Sequence, residues 1–239
     1  MTSGGTATTD VAPPPAAAPT TVVGVPGFAV GAGPGGGTRV ERRAPDQSVT
    51  LAVAPFAAAP GRVRIAVADV TGDGVPDLAA GTGPGVTAEV AVYDGRTGQE
   101  LFRTRPFADF TGGVFVAAGD VDGDGLAEFV LTPDEGGGPR VSVFRGGDYA
   151  RLADFFGIDD PNFRGGARAA VGDLNGDGFA DVVGGGGPGG GPRVYVLSGK
   201  PAYTGRSVPF KPVLPNSMAS KGFPTRGAKR PAAARGRDR

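Results

Sequence analysis

The chain is 239 residues long, holds 45 glycines and 23 prolines, and contains neither histidine nor cysteine. That absence excludes a Ser–His–Asp triad, a Cys–His pair, a zinc site and a disulfide framework, leaving oxygen atoms as metal ligands, which suit hard cations. The formal charge is zero, but from Lys200 onward ten Lys/Arg face one acid (Asp238), so residues 1–199 carry a net −9.

In chain order, residues 1–21 are rich in Thr, Ala and Pro and read as a disordered linker. They have neither a basic start nor an apolar core segment, so no signal peptide is visible. No run of 18 apolar residues occurs, so no membrane span is expected. From 22 to 210 the sequence repeats itself. The strings VADVTGDGVPDLAAG from Val67, AGDVDGDGLAEFVLT from Ala118 and VGDLNGDGFADVVGG from Val171 begin on aspartates Asp69, Asp120 and Asp173, spaced by 51 and 53. Each loop follows a β-branched or alternating run and precedes a second apolar run, a glycine-rich turn and a third run (88–94, 139–145, 192–198). A fourth run closes each unit near Phe107, Phe155 and Phe156, or Phe210. Four short strands in about fifty residues is the spacing of β-propeller blades, so the chain is expected to be all-β, with blades of four antiparallel strands.

Blades are expected at 59–108, 109–157 and 158–210, with a partial blade at 22–58, about four in a partial or small propeller. The partial blade has no aspartate loop and no first strand: GFAVGAGPGGGTRV (27–40) parallels DLAAGTGPGVTAEV (77–90). Gly61, Gly112 and Gly165 stand eight residues before each leading aspartate, with Phe110 and Phe163 two residues earlier still, and read as blade-to-blade packing elements. Residues 211–239 are rich in Pro, Lys and Arg without apolar period and read as a disordered basic tail. The tail lacks interleaved aromatics, so no specific nucleic-acid partner is expected.

Each aspartate loop has the form D-x-T/D/N-G-D-G-x-x-D/E. The first offers Asp69, Thr71 and Asp73 at positions 1, 3 and 5, the Val75 carbonyl at position 7 and Asp77 at position 9. The second offers Asp120, Asp122, Asp124, Leu126 and Glu128, and the third Asp173, Asn175, Asp177, Phe179 and Asp181. Alternate oxygens on a tightly coiled backbone can converge on calcium, which takes six to eight of them, and the paired loop glycines allow the positive φ that coiling needs. Without a cation the carboxylates would repel one another. Asp and Gly are also common turn formers, so one copy would signal little more than a turn; three copies in register point to metal. An EF-hand would need an acid at position 12, where this chain has Ala80, Leu131 and Gly184.

These loops, together with GAGPGGG (31–37), GGGGPGGGP (184–192) and Phe156–Gly157, resemble the FG-GAP repeat family, also called VCBS-type repeats, of integrin α-subunit propellers and many bacterial surface proteins. The resemblance implies calcium (Ca2+), in about three sites, held between the first two strands of each blade, and an extracellular or cell-surface location. It also implies a binding or adhesion scaffold for a protein or glycan ligand. Integrin-type rings have seven blades, so this chain is expected to complete its propeller by self-association, to form a small ring, or to be a fragment of a larger surface protein. The alternative is a propeller-type hydrolase or lyase using acid pairs such as Asp134–Glu135 or Asp159–Asp160. Each pair falls once, in a loop, and reads as exposed charge, so no enzyme activity is expected.

Overall fold

The computed structural model describes residues 27–57, 62–158, 160, 162–190, 194–199 and 211–212. The linker 1–21, Gly61, Asp159, Phe210 and the tail beyond Pro212 lie outside them. Fifteen strands and no helix are found among the described residues. No helix there is long and apolar enough to cross a membrane.

The strands form four antiparallel sheets, each a blade of the propeller kind. The first has three strands, β1 (Phe28–Gly31), β2 (Val40–Arg43) and β3 (Val49–Val53). The second runs β4 (Arg64–Ala68), β5 (Asp77–Gly81), β6 (Val90–Tyr93) and β7 (Glu100–Thr104). The third runs β8 (Val114–Gly119), β9 (Glu128–Pro133), β10 (Arg140–Phe144) and β11 (Arg151–Phe156). The fourth runs β12 (Ala167–Gly172), β13 (Asp181–Gly186), β14 (Val194–Ser198) and β15 (Lys211–Pro212). Each sheet is a meander, the natural product of short β-branched runs separated by Gly- and Asp-rich turns.

The inner strands meet in sequence, β1 against β4, β4 against β8 and β8 against β12. Three apolar cores lie between successive sheets: one around Val40, Leu78 and Ala91, one around Val90, Phe129 and Leu131, and one around Val130, Val143 and Val182. Among the described residues the first sheet has three strands, with none before β1. The consequence is exposure at the open edge: Phe28 is 43% exposed, whereas Leu78, its counterpart one repeat on, is fully buried.

The close approaches of Gly112 and Gly165 lie within their own blades rather than between blades. A Cβ on Gly112 would stand 2.5 Å from the Glu135 carbonyl, and one on Gly165 would stand 2.1 Å from that of Pro188, with the Phe110 and Phe163 rings closing in from their own repeats. One boundary moves. Lys211–Pro212, read from the sequence as the start of the tail, pairs with Leu197 and Ser198 as the outer strand of the last sheet. Main-chain pairing at a sheet edge, which leaves no side-chain period to read, places it there.

Candidate metal loops and the geometry of the repeat

The last strand pairs before each loop are Ala68 with Asp77, Gly119 with Glu128 and Gly172 with Asp181. Each aspartate loop is thus the connection of the inner hairpin of its blade. All six loop glycines, at 72, 74, 123, 125, 176 and 178, have φ between +74° and +90°, conformations open to glycine at little cost.

The position-1 carboxylate organises each loop by accepting its main-chain N–H groups. Asp120 Oδ1 and Oδ2 accept from Gly123 (2.7 Å) and Gly125 (3.0 Å). Asp69 accepts from Gly72 and Gly74 at 2.7 and 2.8 Å, and Asp173 from Gly176 and Gly178 at 2.7 and 2.9 Å. These donated hydrogen bonds hold the Asp173 carboxyl below its ordinary range, Gly178 contributing most. The position-5 carboxylates cap position 7: Val75, Leu126 and Phe179 donate N–H bonds to Asp73, Asp124 and Asp177.

The second loop brings three acids together. Oxygens of Asp120, Asp122 and Asp124 lie within 4.8 Å of one another. Opposed ligands around a calcium ion at 2.3–2.6 Å are separated by about 5 Å, so this spacing fits that ion. Burial, then repulsion from Asp124 and Asp120, raises the Asp122 carboxyl above its ordinary value. A dication would relieve that repulsion. In the first loop, Arg96 Nε donates to Asp73 Oδ2 at 2.7 Å and its Nη2 to the Asp73 carbonyl at 2.9 Å, pulling the Asp73 carboxyl down. A guanidinium therefore occupies the position-5 ligand there.

The position-9 acids are the most deeply placed of the predicted ligands, and all three are buried. Asp77 accepts from the Val70, Thr71 and Gly95 amides at 2.9, 3.1 and 2.7 Å. Glu128 accepts from Val121 (2.8 Å) and Gly146 (3.3 Å), and Asp181 from Leu174 (3.1 Å). Asp77 and Glu128 tie the loop to the turn after the third strand, a structural task the sequence reading did not assign, whereas the Asp181 Oδ1 is buried with no hydrogen-bond partner among the described residues. Burial, with the Asp122 and Asp124 charges adding to it, pushes the Glu128 carboxyl up to about 7.

Successive loops are also joined. The Ala127 N–H donates to the Asp69 carbonyl at 2.9 Å, and the Ala180 N–H to that of Asp120 at 2.7 Å. The same position in the first loop is Pro76, which has no N–H, in the one loop with no aspartate loop before it. At position 7, Leu126 lies against Gly72 and Phe179 against Gly123, so these side chains cover the preceding loop.

Asp134 departs from the expectation of an exposed loop charge. It is buried, pairs with Arg64, and binds Arg168 Nη2 at 3.1 Å. Glu135 and Asp160 are exposed. Sequence reasoning missed Arg64, Phe115 and Arg168 around it; the available signal was that all three stand five residues before a leading aspartate.

Among solved structures, the chain is similar to the exotype rhamnogalacturonan lyase YesX at 15% identity and a TM-score of 0.44, covering 71% of this chain and 34% of that one. It is similar to the Bacillus licheniformis rhamnogalacturonan lyase PL11 at 16% identity and 0.47, covering 74% and 41%, and to rhamnogalacturonan lyase YesW at 15% and 0.42, covering 74% and 36%. This chain therefore spans well under half the length of each. No curated protein matches the sequence. The family model described as "FG-GAP-like repeat" matches residues 69–131 and 120–184, so this stretch of the chain is built of FG-GAP-like repeats.

Proposed function

We propose that the chain is a calcium-binding repeat module that acts as a binding or adhesion scaffold, outside the cell or at its surface, for a protein or glycan ligand. The observation that carries this reading is the convergence of Asp120, Asp122 and Asp124 within 4.8 Å on a loop coiled by two glycines of positive φ. Calcium would be held by the carboxylates and side-chain oxygens at positions 1, 3, 5 and 9 of each loop and by the carbonyls of Val75, Leu126 and Phe179. Bound there, it would neutralise the clustered carboxylates and stiffen the hairpin connection. The reading assigns no catalytic residue. The polar groups that recur in all three repeats are the loop residues, and their oxygens already serve as acceptors for loop amides.

Titration calorimetry tests it. About three calcium sites of dissociation constant on the order of 10⁻⁴–10⁻³ M are expected, as in extracellular modules. The melting temperature should rise with calcium by mass action. Asp120→Ala should remove one site. The absence of both heat and thermal shift at millimolar calcium would overturn the proposal.

A further inference from the structure

At the end of the inner strands away from the aspartate loops, three side chains at equivalent repeat positions meet: Arg64 from β4, Phe115 from β8 and Arg168 from β12. The guanidinium carbons of Arg64 and Arg168 lie 3.8 and 4.1 Å from the centroid of the same Phe115 ring. Asp134 pairs with both arginines. These groups, with Arg62 and Glu135, bound a cavity of about 490 Å³, within the range of small-molecule sites.

We propose that this cavity binds a small monocarboxylate. Three arginines face two acids here, which leaves a net positive charge in a segment whose overall charge is −9. The Arg64 side chain is 10% exposed, and its Nη1 is buried with no hydrogen-bond partner. A buried donor left without an acceptor is costly, and a guanidinium has no acceptor of its own to offer a neighbour. An incoming oxyanion supplies what is missing. Arg168, whose Nη2 bonds to Asp134 and whose Nη1 donates a long 3.4 Å bond to the Ala167 carbonyl, is 41% exposed and lines the cavity. A guanidinium fork matches a carboxylate in two parallel hydrogen bonds, geometry that lysine cannot reproduce. Asp134 and Glu135 in the lining repel a second negative charge, which favours a monoanion over a phosphate dianion. None of these residues belongs to an aspartate loop, so the site stands independently of the calcium reading.

The test uses the full chain in EDTA at constant ionic strength, following the arginine Nε–H signals by NMR. The probes are acetate, gluconate, N-acetylalanine and inorganic phosphate. Gluconate or N-acetylalanine should shift the Arg64 and Arg168 signals along a saturable curve, with phosphate weaker. Whichever of the two binds tighter distinguishes a polyhydroxy acid from a peptide-like carboxylate, and either preference supports the site. Arg168→Gln should weaken binding by about tenfold or more, the loss of one charge-assisted contact. If that variant fails to fold, Arg168→Lys decides: it keeps the charge but loses the fork, and should bind more weakly. No saturable carboxylate binding, phosphate binding as tightly, or undiminished binding in the folded variant would overturn the proposal.

Discussion

Replacing Asp134 with alanine should be the most damaging single change to a polar side chain in this fold. The Asp134 side chain is 7% exposed and is the shared partner of Arg64, on the second sheet, and Arg168, on the fourth. Arg64 has no other ion-pair partner among the described residues, and burial already lowers its pKa from the ordinary arginine value while Asp134 opposes the shift. Asp134→Ala would thus strand a guanidinium in the interior. Breaking a buried pair from one side costs about 3–5 kcal/mol. Arg168, being 41% exposed, adds no more than a surface pair does, about 0–1 kcal/mol. For a folded part of 150–250 residues each kcal/mol lowers the melting temperature by about 2–4 °C, so a fall of roughly 6–24 °C is expected. Calorimetry of the single variant and of the double variant Arg64→Met/Asp134→Leu reads it. The double variant should recover much of the loss, since apolar groups of similar volume can replace a buried pair. A loss under about 1 kcal/mol for Asp134→Ala, or a double variant no better than the single one, would refute the reasoning.

The Glu128 carboxyl, raised from 4.5 to about 7, favours the protonated form in the fold, so the unfolded chain releases its proton first. Metal-free stability should therefore fall as pH rises from about 4.5 to about 7. Glu128→Gln should flatten that fall in pH-dependent melts made in EDTA. The second loop, with four carboxylates against three in each of the others, should bind calcium most tightly. Arg96→Ala should strengthen the first loop by freeing Asp73, and titration of single-loop variants would show equal affinities if geometry outweighs charge. Large exposed apolar side chains stand on the first sheet (Phe28, Val30, Val49), on the last sheet and its loop (Val194, Leu174) and on the third (Phe156). Such surface is costly to hydrate. Light scattering should therefore find self-association at micromolar concentration, and a monodisperse, cooperatively melting monomer would contradict this.

The sequence by itself determined the blades and the loops. An aspartate loop is local: its carboxylates, glycines and capped amides lie within nine residues, so the spacing that builds it is visible as spacing. The hairpin register follows, because the paired residues Ala68–Asp77, Gly119–Glu128 and Gly172–Asp181 bracket the loop directly. Only the tertiary structure decided what the repeats do to one another. Asp134 read as a loop charge because its partners lie 70 and 34 residues away, on sheets that converge on it. Leu126 and Phe179 entered the sequence reading as carbonyl donors, yet their side chains cover the preceding loop. The buried role of Glu128 and its raised pKa arise from desolvation by neighbouring strands, a property of packing density rather than of residue order. Arg64, Phe115 and Arg168 occupy one column of the repeat, but a column becomes a site only when successive blades pack side by side and turn the same position of each inner strand toward a common cavity.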